Sequence, residues 1–538
     1  MPCILGERTK QNMAWNPIYL VLAAAYFAAL MLMGMWSARH KGDSNQYLNA
    51  TSSLPVWVCA TACIAANCGS LDLFAMMALG AQYGMLACHF YWIGAIPALL
   101  VVAFWLLPVY RRQRSLTILD FIELHYGHAT RTLVALCMAA MMLLLAGVSL
   151  CAVAQVVTAF LGWSFLQGVL VAAAVVLIYI WAGGFRATVY TELFHFALVF
   201  IAVVPLLFLA VHEMGGVTKL VASVPPSRIH AWQSVAFFAP HAVIDRLGLV
   251  FGLGLVLSFG YWSTDFVQLQ RALAVRHERD APFVPLSVGF AKLVFAPLVA
   301  MTGVAAPLVL SPARLGGNWN ATLPALMLHY YKSTWLALGF MGLAASLIST
   351  FSNNVAGFTS AWVQSIYQPW IKPRASDAHY TQVSRVTNAA AVLLAMGAAY
   401  FALGFQSLME YIQLILSTFN APLFALVALA VIVPRISASG GAAGFISGLA
   451  TSVIHQILAF THVLHYGSQM AANFYGAILG FSIALVAALV TGVLRRPSQG
   501  ALVPQPASGE RPVSIAWPLL TTGIVLGSLF ILVNAIFW

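Results

Sequence analysis

The sequence contains few charged residues. Asp, Glu, Lys and Arg make up 7% of its 538 residues, against roughly a quarter in ordinary soluble domains. Hydrophobic residues make up 62%, which exceeds the roughly 45–50% typical of soluble domains. This composition excludes a soluble globular protein and indicates a polytopic membrane protein, because the bilayer interior tolerates few charges.

The sequence also lacks the signatures of several pump and enzyme classes. It has no GxxxxGK[ST] phosphate-binding loop, so ATP-driven transport is not predicted, and it has no hydrolase triad signature. The seven cysteines are an odd number and indicate no disulfide framework. His462 and His465 are a close pair without Cys or carboxylate neighbours, so we interpret them as structural. We expect no enzyme activity.

Apolar stretches long enough to cross a membrane fill the chain. A bilayer core of about 30 Å takes roughly 20 apolar residues per helix. The sequence predicts fourteen such spans, at 17–37, 54–80, 84–109, 129–162, 164–183, 187–211, 244–271, 284–310, 334–366, 384–404, 406–433, 438–461, 472–494 and 514–537. No soluble domain is left over.

The net charge of +11 is distributed over short loops rather than over one face, so a nucleic-acid partner is not predicted. If residues 1–16 lie outside, 17 of the 25 Lys and Arg residues fall in loops on the cytoplasmic side and seven on the opposite side. The positive-inside rule then predicts a multi-pass protein of the inner (plasma) membrane with both termini on the external side. The lipid bilayer is its expected surrounding.

Two predicted spans contain polar interruptions. Span 54–80 carries Asn67, Gly69 and Ser70, and span 244–271 carries Ser258, Gly260, Ser263 and Asp265. Interruptions five spans apart indicate an inverted repeat whose broken helices form a binding site near the midplane. The alternative is that these small residues only permit close helix packing.

Charged residues inside spans are candidate functional residues because each is costly in lipid. Four qualify: Asp72, Glu192, Asp265 and Lys292. Asp72 follows the first interruption, where it suits a cation, a proton or a polar solute, unless it only caps the second half-helix. For Asp265 and Lys292, the alternative to a functional role is that they form a structural ion pair with each other.

Span 334–366 carries a polar stripe, because Ser346, Ser349, Thr350 and Asn353 share one helical face. Hydroxyl and carbonyl oxygen atoms suit a hard cation such as sodium. Hydrogen bonding between packed helices is the alternative.

Four segments of the chain resemble the sodium/solute symporter family over residues 17–460. They are CIAANCGS at 63–70, GGFRATVYTE at 183–192, GYWSTDFVQLQRALA at 260–274 followed by Lys292, and MEYIQLILSTFNAPLFAL at 409–426. The resemblance implies an all-α membrane protein with a LeuT-type 5+5 inverted repeat of ten core helices and about 14 helices in all. One extra helix precedes the core and three follow it. We accordingly expect an N-terminal unit at 1–50, a transport core at 51–435 and peripheral helices at 436–538.

The resemblance also implies a sodium ion between core helices 1 and 8. Carried over by position, Ala65, Cys68 and Gly342 supply carbonyl oxygens, and positions 345 and 346 supply hydroxyls. Ser346 matches, but position 345 is alanine and lacks the second hydroxyl. Ser349, Asn67 and Glu192 are the candidates to replace it.

For the solute, the family pattern implies contacts from a set of residues on core helices 1, 2, 6, 7 and 10. They are Asp72, Tyr91, Tyr261, Asp265, Lys292 and Gln413. Tyr91 stands where the sugar carriers have glutamate, and Asp72 where they have glutamine or histidine. An acidic pocket with aromatic walls suits a polyol, an amine or a zwitterion.

These features predict a secondary active symporter that couples inward sodium movement to the uptake of a small polar organic solute by alternating access. Two alternatives remain at this point. One is a proton-coupled symporter that uses Asp72 or Glu192, with His195 as a second titratable group nearby. The other is a sensor that binds solute without transporting it. Oligomeric state is not predicted.

Overall fold

The regular elements of the described residues are helices. The computed structural model describes residues 21, 25, 28, 55–113, 117–180, 185–232, 235–239, 241–310, 315, 318–433, 436–494 and 517–538. Ten helices within these residues are long and apolar enough to span a bilayer, and four shorter apolar helices accompany them. The predicted span at 17–37, apart from three isolated positions, lies outside the described residues.

The helices follow the predicted spans closely, and we number them α1 to α16 in chain order. They are α1 Val56–Asn67, α2 Ser70–Tyr83, α3 Ile96–Arg111, α4 Ile118–Leu161, α5 Phe165–Ile180, α6 Phe185–Glu213, α7 Gly248–Thr264, α8 Phe266–Leu273, α9 Phe283–Val309, α10 Thr322–Tyr330, α11 Ser333–Trp362, α12 Asp377–Ala402, α13 Leu408–Ile432, α14 Ala438–Phe460, α15 Gln469–Leu494 and α16 Trp517–Ile536. A π-helical segment, Val363–Ile371, extends α11.

One predicted boundary is wrong. The helix predicted at 84–109 begins only at Ile96. Gly84 ends α2 at a φ of 75°, and a 3-10 helix and turns occupy residues 84–95. A capping box between Thr117 and Asp120 starts α4 at Ile118, ahead of the span predicted at 129–162. Gly127, with a φ of 81°, separates this first segment from the rest of α4, so the predicted start at residue 129 agrees with the structure.

The connecting segments define two faces of the molecule. The described residues between α6 and α7 (214–232, 235–239 and 241–247) and α10 form one, which we call the long-loop face. Two short helices, Val217–Ser223 and Pro226–Ile229, order part of it. The segments 274–282 and 372–376 form the other, the short-loop face. The end of α16 also reaches the long-loop face, where the backbone N–H of Ala231 donates to the carbonyl of Phe537 at 2.8 Å.

Both predicted interruptions are breaks in the helices. The first separates α1 from α2 at Cys68 and Gly69. The second separates α7 from α8 at Asp265, whose extended backbone (φ −65°, ψ 106°) lies at the end of the predicted polar segment. The two broken helices start from opposite faces, five helices apart in the core.

The core helices pack in two groups. In one, α9 packs against both halves of the first broken helix and against α3. In the other, α4 packs against α11, α12 and α5. The α2–α9 contact is very close, because a methyl group built on Gly80 would lie 2.5 Å from the carbonyl oxygen of Ala300. The first break lies where α11 meets α1 and α2, and this position creates the candidate site.

Candidate functional site

The break between α1 and α2 leaves backbone groups without helical partners. Ser70 is the first residue of α2, so its N–H has no acceptor within that helix. It donates instead to Oγ of Ser346 on α11 at 3.1 Å. A backbone N–H in a membrane needs a partner inside the protein, and Ser346 supplies one. The polar stripe predicted on α11 therefore faces the break.

Asp72, Lys292 and Tyr91 form a buried cluster beside the break. The Nζ atom of Lys292 lies 2.8 Å from Oδ2 of Asp72 and donates to the carbonyl of Asn67 at 3.1 Å. It also lies over the Tyr91 ring, 3.9 Å from its centroid. The Tyr91 hydroxyl donates to the same Asp72 oxygen. Lys292 from α9 therefore links the C-terminal end of α1 to the first turn of α2.

Helix dipoles favour this arrangement. Asp72 lies in the first turn of α2, next to the positive end of that helix, and Lys292 contacts the last carbonyl of α1, at a negative end. The suggested Asp265–Lys292 ion pair is wrong, because Lys292 is bonded to Asp72 instead. The prediction of an acidic pocket at Asp72 is also wrong, because the positive charge of Lys292 offsets the negative charge of Asp72.

Four of the residues proposed for sodium line a cavity of about 110 Å³. It is lined by Ala65, Ala66, Glu192, His195, Tyr261, Asp265, Ser346, Ser349, Thr350, Asn353 and Asn354. A methyl group on Gly69 would lie 3.1 Å from the Ala65 carbonyl oxygen and 3.5 Å from Ser346 Oγ, so both oxygens flank the break. The buried Oγ atom of Ser349 has no hydrogen-bond partner among the described residues.

The two other sodium candidates lie close by in the chain. Cys68 is fully buried in the break itself, and Gly342 precedes Ser346 by one helical turn on α11. Ala345, where the family pattern has a hydroxyl, is 5% exposed. The cavity therefore has one hydroxyl from the family position and a second, unpartnered one from Ser349, about one turn further along α11. The hydroxyl of Thr350 also lines the cavity but donates to the Ser346 carbonyl at 3.0 Å.

Glu192 is engaged by two donors. Its Oε2 atom lies 2.5 Å from a guanidinium nitrogen of Arg271, and its Oε1 atom accepts from the Asn353 amide at 2.8 Å. Arg271 is 3% exposed and Glu192 is 6% exposed. The sequence reasoning did not select Arg271 as a site residue. Its position inside the predicted span 244–271, opposite an intramembrane glutamate, was the available signal.

The remaining predicted solute contacts divide between two places. Tyr261 and Asp265 line the cavity described above, together with the sodium candidates. Gln413 does not line it. This glutamine lies on α13, 6% exposed, where its Nε2 atom contacts the Met409 sulfur at 3.7 Å and its Oε1 atom is buried without a partner among the described residues.

Comparisons with known proteins identify the family of the chain. A family model for the sodium:solute symporter family matches residues 47–448. The sodium/glucose cotransporter of Vibrio parahaemolyticus is 24% identical over 429 residues, covering 74% of this chain and 77% of that protein. Sodium/glucose cotransporter 1 of Oryctolagus cuniculus is 22% identical over 535 residues, covering 90% and 80%.

A solved structure shows the fold. The substrate-bound, outward-open structure of a Na+-coupled sialic acid symporter superposes with a TM-score of 0.72 at 16% identity, covering 89% of this chain and 98% of that one. The predicted all-α, LeuT-type architecture is therefore confirmed, with Na+ as the coupling ion and transport rather than enzymatic activity as the function. The family match over three quarters of the chain shows that this protein belongs to the sodium:solute symporter family.

Proposed function

We propose that the protein takes up a neutral, hydroxyl-rich solute, a sugar or related polyol, together with sodium. The observation that carries this proposal is the Asp72–Lys292 pair beside the broken helix. The two charges of this pair cancel, so Asp72 does not select for a cationic solute. The carboxylate accepts from hydroxyl groups and the ammonium donates to them, and the named relatives transport glucose.

The solute site in this proposal comprises six residues: Asp72, Tyr91, Lys292, Tyr261, Asp265 and Gln413. The buried Gln413 oxygen without a partner supports its assignment, because an unsatisfied polar atom is costly unless a ligand completes it. Tyrosine rings supply apolar faces against which a pyranose or an alkyl chain packs.

The sodium site comprises the carbonyls of Ala65, Cys68 and Gly342 and the hydroxyl of Ser346, with Ser349 in place of the hydroxyl missing at position 345. Oxygen ligands suit a hard cation, and the unpartnered Ser349 Oγ supports its role. We assign Glu192 to its bonds with Arg271 and Asn353 rather than to direct ion binding, because both carboxylate oxygens have protein donors.

Coupling follows from the position of the ion between two groups of helices. α1 packs with α9, whereas α11 packs with α4. An ion held by both groups stabilises the arrangement in which its ligands converge, and only such differential binding shifts a conformational equilibrium. Family membership favours sodium in this role over the proton-coupled and sensor alternatives.

We place the transport core at 51–435 and treat 436–538 as peripheral, with the N-terminal unit at 1–50. In this proposal the protein lies in the plasma membrane with both termini and the long-loop face outside. The excess of Lys and Arg in the loops of the short-loop face supports this orientation.

The proposal is tested with purified full-length protein in proteoliposomes. Radiolabelled glucose, a polyol and an amino acid are offered under an inward sodium gradient, an inward proton gradient without sodium, or neither. We expect uptake of a neutral polyhydroxyl solute that requires sodium. Uptake driven by protons alone, or confined to charged solutes, would overturn the proposal.

A further inference from the structure

The long-loop face contains a second, larger cavity of about 780 Å³, which we call the vestibule cavity. Its volume falls in the range of small-molecule sites. Six aromatic side chains line it: Tyr83, Trp319, Tyr400, Phe401, Phe405 and Phe460. Phe401 and Phe460 are 58% and 46% exposed, so the cavity has an open rim.

Glu410 is the charged residue of this cavity. Among its described lining residues no Lys, Arg, His or Asp accompanies Glu410. The side chain is 4% exposed, in the first turn of α13. The cavity therefore combines one buried carboxylate with a largely aromatic wall.

Only one of the two carboxylate oxygens of Glu410 has hydrogen-bond donors among the described residues. Its Oε1 atom accepts from the Gln82 amide at 3.0 Å and from the Tyr83 hydroxyl at 2.9 Å. Its backbone carbonyl accepts from the Asn473 amide at 2.8 Å. In the described part of the chain no donor engages Oε2, which keeps some accessible surface. The position of the carboxylate is thus fixed while one oxygen faces the cavity.

We propose that the vestibule cavity binds an organic cation, with its ammonium group against Glu410 Oε2 and its alkyl or aryl groups against the aromatic wall. A metal ion fits poorly, because one carboxylate oxygen supplies few of the ligands that a hard cation requires. Aromatic faces attract alkylammonium groups, and they do so more strongly when the cation is desolvated. This site is separate from the proposed sodium and solute sites.

The site lies next to the solute site. Gln413 follows Glu410 by three residues on the regular first turns of α13, so both side chains point to one helix face. A cation in the vestibule cavity also lies between α2 and α13, whose side chains meet at Glu410. We therefore expect occupancy to inhibit uptake.

The test measures binding to purified full-length protein by calorimetry, which needs no transport. The probe is phenyltrimethylammonium, and the neutral alcohol of similar shape, 2-phenylpropan-2-ol, is its control. Glu410→Gln keeps an oxygen for Gln82 and Tyr83 but removes the charge, so we expect the Kd for the cation to rise at least tenfold. The Kd for the alcohol is expected to stay unchanged.

Two further variants keep the proposal falsifiable should Glu410→Gln fold poorly. Gln82→Lys supplies an internal ammonium to Glu410 and is expected to abolish cation binding in the same way. Tyr83→Phe removes one donor and is expected to leave the Kd within threefold. Unchanged cation binding in Glu410→Gln or Gln82→Lys, or equal affinity for the alcohol in the parent protein, would overturn the proposal.

An ammonium group bound at Glu410 comes either from a soluble cation or from a phospholipid headgroup. Probe affinity measured in nanodiscs of phosphatidylglycerol and of phosphatidylethanolamine distinguishes the two sources. Equal probe affinity in both lipids assigns the site to soluble cations, and weaker affinity in phosphatidylethanolamine assigns it to the headgroup. Because binding is read directly, a failure of sodium-driven uptake leaves this test intact.

Discussion

The Oγ atom of Ser346 accepts a hydrogen bond from the backbone N–H of Ser70 at 3.1 Å, so that α11 caps α2 across the first break. This bond joins the two groups of packed helices at the place where backbone groups are exposed. In lipid an uncapped N–H is costly, so the break depends on α11 staying beside it. An ion that uses Ser346 as a ligand therefore binds when the two groups of packed helices lie together.

Ser346→Ala is expected to weaken sodium binding. The substitution removes a proposed ion ligand and the acceptor for the Ser70 N–H at once. We expect the sodium concentration for half-maximal uptake to rise at least roughly tenfold, or about 1.4 kcal/mol. The measurement is sodium-dependent solute uptake in proteoliposomes, repeated with Ser349→Ala to test the second hydroxyl.

Ser352→Ala is the matched control for these variants. Ser352 is also buried on α11, at 7% exposure, but it does not line the 110 Å³ cavity. Its sodium dependence is expected to match the parent protein. A Ser346→Ala protein with unchanged sodium dependence would contradict the ion site.

Removing one member of the Asp72–Lys292 pair is expected to destabilise the protein more than removing both. Lys292→Met leaves a largely buried carboxylate without its cation, which costs about 3–5 kcal/mol when a pair is fully buried. Asp72 is 24% exposed, so we expect the lower end. The double variant Asp72→Asn/Lys292→Met is expected to recover most of the loss in thermal unfolding midpoint.

Measurements of solute uptake distinguish the structural role of the Asp72–Lys292 pair from its role in solute binding. The stable double variant is expected to have a solute KM raised by roughly tenfold or more, because the charged hydrogen-bond partners are gone. A double variant that unfolds as readily as Lys292→Met would contradict the pairing. One that transports like the parent protein would contradict the solute site.

The sequence predicted the first break and the intramembrane charges, but not their partners. Asn67, Gly69 and Ser70 interrupt an otherwise apolar span, and such interruptions are visible without a structure. The partner of Lys292 was not visible. Asp265 is nearer to Lys292 in the chain, yet Asp72 is its neighbour because α9 packs against α2. Contacts between distant helices depend on packing, which hydropathy does not encode.

The boundary error at residue 84 has a similar physical origin. Residues 84–95 are apolar enough to extend a span, but Gly84 ends α2 and a 3-10 helix follows. Hydropathy measures burial, and buried residues need not be α-helical. The short helical segment before Gly127 was not predicted, because the Thr117–Asp120 capping box that starts it lies before the apolar run.

Alanine at the α2–α9 contact is expected to destabilise the fold. A methyl group on Gly80 would lie 2.5 Å from the Ala300 carbonyl oxygen, and one on Gly303 would lie 2.4 Å from that of Met77. These are backbone atoms, so the helices must separate. Overpacking of this kind costs about 1–3 kcal/mol, and we expect a lower thermal unfolding midpoint for both variants.

Gly397→Ala is the control, because nothing lies within 4 Å of the added methyl group on α12. Replacing a glycine within a helix by alanine gains about 0.5–1 kcal/mol. We expect an unchanged or raised midpoint. Equal midpoints for Gly80→Ala, Gly303→Ala and Gly397→Ala would show that α2 and α9 are not in close contact.

The Glu192–Arg271 pair is expected to stabilise the protein without binding sodium directly. Arg271→Gln leaves Glu192 buried without its cation and is expected to lower the unfolding midpoint, since breaking a buried pair costs about 3–5 kcal/mol. In the double variant Glu192→Gln/Arg271→Gln, the midpoint is expected to recover. Its sodium dependence is expected to stay within threefold of the parent protein. A larger shift would make Glu192 an ion ligand after all.

Cysteine labelling tests the proposed orientation. His465 is exposed between α14 and α15 on the long-loop face, and Arg374 is exposed on the short-loop face. With the long-loop face outside, His465→Cys is expected to react with a membrane-impermeant maleimide in intact cells. Arg374→Cys is expected to react only after permeabilisation. A Cys3→Ser parent gives the background, because Cys3 lies in the N-terminal tail that the proposal places outside and the six described cysteines are buried. The opposite labelling pattern would reverse the orientation and place both termini inside.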